Sequence, residues 1–189
     1  MKKIAFILTL LLSAFICNAE GIVTSGNELR FKIPKNDRLQ SFILSKYDNV
    51  EMDSHYYFLT LLLRDAHSFY SFPDNSKLLL KLSNDSIIEL NSFGDEDTNH
   101  LSTIIMGIPV ETYETYRRFK LSDLDLQNIL TYPIVKIRIE LSNGDRKDIE
   151  MKSGESKKLL KNLNKSLKII QEKQEKRVEN VSNDLKDDF

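Results

Sequence analysis

Alternating apolar and charged residues give the clearest structural signal in the chain, and they occur between positions 134 and 151. From Ile134 to Leu141 every second side chain is apolar, which predicts a half-buried antiparallel strand. A second alternation begins after Ser142-Asn143-Gly144, a turn-forming sequence, so the pattern predicts a β-hairpin. Four side chains of the first strand are expected to share its buried face: Val135, Ile137, Ile139 and Leu141.

The length of the loop decides which residues of this hairpin face each other. A two-residue loop would bring a glutamate opposite Ile137 and bury its charge. A three-residue loop, with Gly144 in the left-handed conformation that glycine tolerates, instead places Ile149 opposite Ile137. The same register sets Val135 against Met151. We therefore predict the three-residue loop.

The same requirement, that apolar residues of paired strands lie opposite each other on one face, predicts a second hairpin around Ser83-Asn84-Asp85. Its register places Leu80 opposite Ile88 and Leu78 opposite Leu90. Both hairpins then present leucine and isoleucine on one face, as expected for strands that cover a core.

Further strands are expected from runs of aromatic and β-branched residues. The segment from Tyr56 to Leu63 is apolar at almost every position, which predicts a central strand buried on both faces. Residues 20–36 could form an edge strand or a mobile leader, and 38–47 a strand or a helical turn. Short strands are expected in three further segments: 67–72, 101–106 and 111–121. The last of these could instead be helical.

Two helices are predicted near the C-terminus. A capping box at Ser122 begins a short helix over Asp123 to Leu130, which Pro133 ends. A long amphipathic helix begins between Ser153 and Ser156. Its apolar stripe, which should cover the sheet, contains Leu159, Leu160, Leu163, Leu167 and Ile170. The opposite face is basic and is either solvated or contacts an anionic partner; it contains Lys157, Lys158, Lys161, Lys165 and Lys168.

Residues 1–19 have the features of a secretory signal peptide, namely two lysines, a short apolar run and small residues before the cleavage position. We expect cleavage after Ala19 and a periplasmic or secreted protein without a transmembrane span. The alternative is a lipoprotein anchored at Cys17, but bulky residues precede this cysteine where such sites carry small ones. Cys17 is the only cysteine, so the mature chain can form no disulfide.

Length and composition predict one domain whose core supplies its stability. We assign residues 20–171 to this domain and 172–189 to a charged tail that frays. The 27 basic residues are balanced by 28 acidic ones, and Lys2 and Lys3 belong to the predicted signal peptide. The mature protein is therefore slightly acidic, and this balance together with export argues against nucleic acid as a partner. We expect an unknown protein or cell-envelope partner.

The sequence nominates no catalytic, cofactor-binding or metal-binding residue, and no cofactor. Its three histidines lack the spacing of metal ligands, and no nucleophile or phosphate-binding motif occurs. Asp95, Asp97 and Asn99 match the first ligands of a calcium loop, but His100 and Met106 stand where glycine and glutamate are required. We interpret this segment as a solvated turn. A second group, explained equally well by strand packing or as a sticky surface patch, contains Tyr113, Tyr116, Arg117 and Arg118.

The run Tyr132–Glu140, the Asn143-Gly144 turn and the lysine- and leucine-rich helix resemble small exported proteins of Bacteroides-like bacteria, a group largely without assigned function. The resemblance covers only the C-terminal hairpin and helix. It implies export and carries over no site residue.

These patterns together predict an α+β fold: a mainly antiparallel sheet of about seven to nine strands, curved or partly closed, with the C-terminal helix packed on it. A pleckstrin-like barrel is one such arrangement. Because no reaction chemistry is visible, we expect an exported, non-enzymatic binding or interaction module of unknown specificity. The alternatives are a carrier that holds an apolar ligand between sheet and helix, and a hydrolase with a dispersed active site.

Export can be tested directly. Mass spectrometry of the protein recovered from the producing cell should give a chain beginning at Glu20, because the small residues before it suit signal peptidase. An intact chain beginning at Met1, or a lipid on Cys17, would contradict the prediction of soluble export.

Overall fold

The computed structural model describes residues 21–33, 36–49, 54–65, 71–105, 108–141 and 144–187. Within these ranges the chain forms eight strands and two helices. The predicted signal peptide lies outside them, as do residues 66–70, which include most of the short strand expected at 67–72. Ser71 and Phe72 are described and belong to a loop.

All eight strands belong to one antiparallel sheet, with the order β1-β2-β3-β6-β5-β4-β7-β8. The strands are β1 (Ile22–Ile33), β2 (Asn36–Asn49), β3 (Ser54–Asp65), β4 (Lys77–Leu82), β5 (Ile87–Ile105), β6 (Ile108–Leu121), β7 (Ile134–Glu140) and β8 (Arg146–Glu150). The helices are α1 (Asp123–Thr131) and α2 (Ser153–Asp187). The α+β prediction is confirmed. Because β1 and β8 are the two edges, the sheet is open and does not close into a pleckstrin-like barrel.

The two hairpin registers are confirmed. Ile137 lies opposite Ile149, and Gly144 has a φ of 81° and donates its N–H to the carbonyl of Leu141 at 3.0 Å. Leucines at 78 and 80 pair with residues 90 and 88 in the other hairpin. Its loop closes in the same way, because Asp85 takes the left-handed conformation with a φ of 64°. Turn chemistry and hydrophobic parity therefore determine both registers.

One detail of the hairpin formed by β7 and β8 was predicted wrongly. A register shift between Lys81 and Leu82 changes the pairing of β4 with the start of β7, so that Ile134 lies opposite Leu82. Ile134 is 1% exposed, whereas Val135 is only half-buried. Ile134, not Val135, therefore joins Ile137 and Ile139 in the core.

The long strands account for the N-terminal half of the chain. β3 lies between β2 and β6, so the Tyr56 to Leu63 segment forms a central strand as expected. It is not fully buried on both faces, because Tyr56 and Thr60, on the face opposite the core, are only half-buried. The open choices at 20–36, 38–47 and 111–121 are decided in favour of strands β1, β2 and β6. Edge and central strands thus follow the hydrophobicity of their sequences.

β5 belongs to both halves of the sheet. Its first residues pair with β4, whereas from Ser92 onward it pairs with β6. The pairing with β6 is interrupted between Phe93 and Asp97, a bulge of the kind that bends a strand and increases its twist. The acidic segment around Asp95 and Asp97, residues 94–100, was predicted to be a turn. That prediction is wrong, because the segment is a bulged part of β5.

The capping box of α1 is present. Ser122 Oγ accepts the Asp125 backbone N–H at 3.1 Å, and the Asp125 carboxylate accepts the Ser122 backbone N–H at 3.2 Å. These two bonds satisfy donors that the first helical turn leaves free. The helix ends at Thr131, just before Pro133.

The apolar stripe of α2 packs on one face of the sheet, as predicted. Leu159, Leu163 and Ile170 belong to the core cluster, and Leu167 packs against it. Leu160, also expected in the stripe, is only half-buried. The Ser156 hydroxyl donates to the carbonyl of Ile134, which fixes the start of the helix on β7. No helix among the described residues is long and apolar enough to cross a membrane.

The helix does not end at Gln171. It continues to Asp187 through the segment that the sequence separated as a charged tail. Lys173 Nζ donates to the backbone oxygen of Ser25 at 2.9 Å, and Arg177 donates to Thr24 Oγ1 at 3.0 Å. These bonds attach the second half of α2 to the edge strand β1.

Leu163→Asp should unfold the domain or strongly lower its melting temperature. Leu163 is 0% exposed, and burying a leucine side chain contributes about 1.5 to 3 kcal/mol before the cost of burying a charge is added. Lys161→Asp is the matched control, because Lys161 is exposed on the same helix. Thermal melts that show equal, small shifts for the two variants would mean that the helix does not contribute to the core.

Candidate functional site

The long strands of the sheet have two faces with different roles. In β3, Leu59, Leu61 and Leu63 alternate toward the core under α2, and each is 0% exposed. The side chains between them point to the opposite face. That face forms an open trough with a volume of about 930 Å³.

The trough is lined by residues from β1, β2, β3, β5 and β6. Since β1 and β5 are separated by three strands, the sheet must curve strongly toward this side for both to contribute. The lining combines aromatic, hydroxyl and aliphatic side chains: Val23, Ser25, Ile43, Ser45, Tyr47, Tyr56, Phe58, Thr60, Phe93, Thr98, Asn99, Tyr116 and Arg118.

Four aromatic rings form a continuous group at one end of the trough. Tyr47 and Tyr56 stack with ring centroids 5.0 Å apart. Phe93 meets Tyr56 at 5.7 Å and Phe58 at 5.6 Å, both edge to face. Lys120 Nζ lies 4.7 Å from the centre of the Tyr56 ring, within cation–π range. Burial, reinforced by the neighbouring Tyr47, raises the pKa of the Tyr56 hydroxyl, so this group remains a neutral hydrogen-bonding group at physiological pH.

Polar side chains line the trough beside the aromatic group. Ser25 and Ser45 hydrogen-bond to each other through their hydroxyls at 2.8 Å. Arg118 lies opposite Thr60 on one side and opposite Phe93 on the other, which places it where the polar and aromatic parts meet. This part of the trough can donate and accept hydrogen bonds.

A network of ion pairs lies beside the polar part, on the same face of the sheet. The Glu28 carboxylate accepts from Ser41 Oγ at 2.7 Å and from Arg64 Nη1 at 2.8 Å. The Arg64 guanidinium also donates to Glu114, a residue only 5% exposed. Tyr116, which lines the trough, donates its hydroxyl to Glu114 at 2.5 Å. The Arg64 guanidinium, on β3, thus links a carboxylate on the edge strand β1 to a carboxylate on β6.

The network keeps Glu28 ionised. Burial of this carboxyl opposes ionisation, but hydrogen bonds from Ser41 and Arg30 and the charge of Arg64 outweigh burial and hold the pKa of Glu28 below its usual value. Such a carboxyl is a poor general acid at neutral pH. The arrangement therefore favours a structural role over proton transfer.

The sequence nominated no site residue, and its weighed candidates do not converge. His100 pairs with Glu111 and stacks on Tyr113 at 4.7 Å, whereas His55 meets Tyr57 edge to face at 6.3 Å. His67 lies outside the described residues. Within the described part of the chain, no group of three or more metal-ligating side chains occurs.

The sticky patch suggested by the sequence is divided between the two faces of β6. Tyr116 and Arg118 line the trough. Arg117 points the other way, is 4% exposed and donates to Ser92 Oγ at 3.0 Å. The signal that could have separated them is strand parity, which applies once β6 is known to be a strand.

The fold and the site define an α+β protein with an open sheet, a helix on one face and an aromatic trough on the other. Comparison with known proteins identifies no relative: no family model, no curated protein and no solved structure matches this chain.

Arg64→Met should destabilise the protein by about 1 to 3 kcal/mol, because it leaves the buried Glu114 carboxylate without its cationic partner. Arg138→Met is the matched control. Arg138 bonds Asp148 through two nitrogens, at 2.6 and 2.7 Å, but this pair is exposed on β7 and β8 and should contribute little to stability. Urea denaturation measures both.

A double variant separates the ion pair from simple loss of packing. Adding Glu114→Gln to Arg64→Met removes the uncompensated charge, so the double variant should be more stable than Arg64→Met alone. If Glu114→Gln makes the single variant still less stable, the network does not act as described.

Proposed function

We propose that this protein is an exported, non-enzymatic binding module that holds its ligand in the trough on the sheet face opposite α2. The observation that supports this most directly is the trough itself: an open volume of about 930 Å³ lined by five aromatic side chains together with hydroxyl groups. Aromatic side chains combined with a few directed polar groups are typical of ligand-binding sites.

The trough is also suited to binding because its floor is rigid. The lining side chains stand on hydrogen-bonded strands, so their spacing is set by the sheet. The Glu28–Arg64–Glu114 network connects strands across the floor and limits their separation. A preformed site avoids the entropy cost of ordering on binding.

The carrier alternative would place an apolar ligand between sheet and helix. In that position the structure has closely packed side chains, since Leu59, Leu61, Leu163 and Ile170 are each 0% exposed. A ligand there would have to displace the core. The packing therefore favours the opposite face as the binding surface.

The hydrolase alternative would need an acid and a base that are free to exchange protons. Glu28 and Glu114, the two carboxylates of the network beside the trough, are both bonded to Arg64. Their role in the ion-pair network favours binding without catalysis.

Binding can be tested with 1-anilinonaphthalene-8-sulfonate, an aromatic anion. It should bind the folded protein and shift the backbone amide NMR signals of trough residues on β2, β3 and β6. The chain contains no Trp, so Thr60→Trp would both fill the trough floor and supply a single fluorescent reporter. This variant should bind the probe at least about tenfold more weakly.

Leu124→Trp is the matched control, because Leu124 is 66% exposed on α1, away from the trough. Circular dichroism melts establish that both variants are folded. Equal probe affinity in two folded variants would contradict the proposal. So would NMR shifts of the unmodified protein that occur on α2 and its core contacts instead of the trough, a readout that does not depend on either variant.

A further inference from the structure

One face of α2 carries positive charge alone. From Ser156 to Gln171 the chain contains five lysines and no aspartate or glutamate. These lysines fall within about 100° of the helix circumference and span a length of about 16 Å along its axis. All five residues are exposed. They form what we call the lysine face: Lys157, Lys158, Lys161, Lys165 and Lys168.

The lysine face has no counter-charge within the described part of the chain. On the sheet, by contrast, Lys77 pairs with Glu89 at 2.6 Å. None of the five ammonium groups on α2 forms an ion pair or a hydrogen bond among the described residues. Lys161 is instead four residues from both Lys157 and Lys165, a spacing at which like charges repel and destabilise a helix. An anionic partner from outside the chain would offset this repulsion.

The apolar side of the same helix is not available to a partner. Leu163 and Ile170 are each 0% exposed in the core. Lys173 and Arg177 attach the following turns to β1. While the domain stays folded, α2 therefore cannot insert its apolar stripe into a bilayer, and its interaction with a partner has to be electrostatic.

The composition of the lysine face favours a lipid surface over a protein partner. Protein interfaces are depleted in lysine and enriched in arginine and aromatic residues, whereas neither arginine nor an aromatic residue occurs from Ser156 to Gln171. A lysine ammonium is a point charge on a flexible stem, without the planar fork by which arginine recognises one carboxylate or phosphate. Such groups suit negative charges that are spread over a plane and move to meet them. Anionic phospholipids in a bilayer have this property.

We propose that the lysine face attaches the protein electrostatically to the surface of a bilayer that contains anionic phospholipids. The predicted export would bring the chain to such a surface. Because α2 and the trough lie on opposite faces of the sheet, a protein held in this way leaves its trough open to solvent. Attachment to lipid goes beyond the proposed binding function and is independent of whether the trough holds a ligand.

Co-sedimentation with lipid vesicles tests this attachment on the protein recovered from the producing cell. Vesicles of phosphatidylcholine with about 30% phosphatidylglycerol should bind it at least about tenfold more tightly than vesicles of phosphatidylcholine alone, because only the former carry net charge. Raising the NaCl concentration from about 0.1 to 0.5 M should weaken this binding by at least about tenfold. Apolar insertion by any part of the chain would instead give similar binding to both kinds of vesicle.

Lys161→Gln combined with Lys165→Gln should weaken binding to the anionic vesicles by about thirtyfold, since each lysine near such a surface contributes about a fivefold factor. Lys77→Gln combined with Lys81→Gln is the matched control. It removes the same charge from β4, on the face of the sheet opposite α2, and should change the affinity by less than about twofold. Circular dichroism melts establish that both variants are folded.

A footprint on the unmodified protein locates the contact without any variant. Acetylation of lysine side chains, measured by mass spectrometry, should be reduced by anionic vesicles across the lysine face. It should be unchanged at Lys77 and Lys81, which lie on the other side of the sheet.

No binding to anionic vesicles, equal binding to neutral ones, or binding that the α2 variant leaves unchanged would overturn the proposal. Protection of Lys77 and Lys81 in place of the lysine face would also overturn it. Binding of poly-L-glutamate without binding of vesicles would contradict a lipid surface and point to an acidic polypeptide as the partner. The anilinonaphthalene sulfonate experiment tests the trough separately, so either proposal can fail while the other stands.

Discussion

The burial of α2 against one face of the sheet is the interaction on which the rest of the structure depends. The predicted mature chain contains no cysteine, so the apolar core has to supply the stability of the fold. That core forms where the leucines of β3, β4 and α2 meet, and it is a single cluster. Since the helix covers only one face, the other face of the long strands stays open and forms the trough.

The second face is stabilised by aromatic contacts and ion pairs instead of a second helix. Phe58 is buried within the aromatic group, and Arg64 connects Glu28 to Glu114 across the strands. These contacts hold a curved sheet open as a trough. A second packed layer would have filled it, so the one-sided core and the candidate binding site have the same structural origin.

β5 serves both halves of the sheet because it changes partner along its length. Ile87 to Asn91 pair with β4, whereas from Ser92 onward β5 pairs with β6. The bulge between Phe93 and Asp97 lies beyond this change of partner, and residues on both sides of it line the trough. One continuous strand therefore connects the core to the candidate site.

The sequence by itself determined the features that depend on neighbouring residues: both hairpin registers, the capping box at Ser122, and the apolar stripe of α2 with Leu163 at its centre. Turn chemistry, capping and side-chain periodicity act over a few residues, so one chain suffices to read them. Only the tertiary structure decided that Gly26 lies in a strand. An added Cβ there would come within 2.6 Å of Ser166 Cβ, so the glycine permits the close approach of α2 to β1. The trough likewise required the structure, because its aromatic and hydroxyl groups come from five strands far apart in the chain and meet only through the curvature of the sheet.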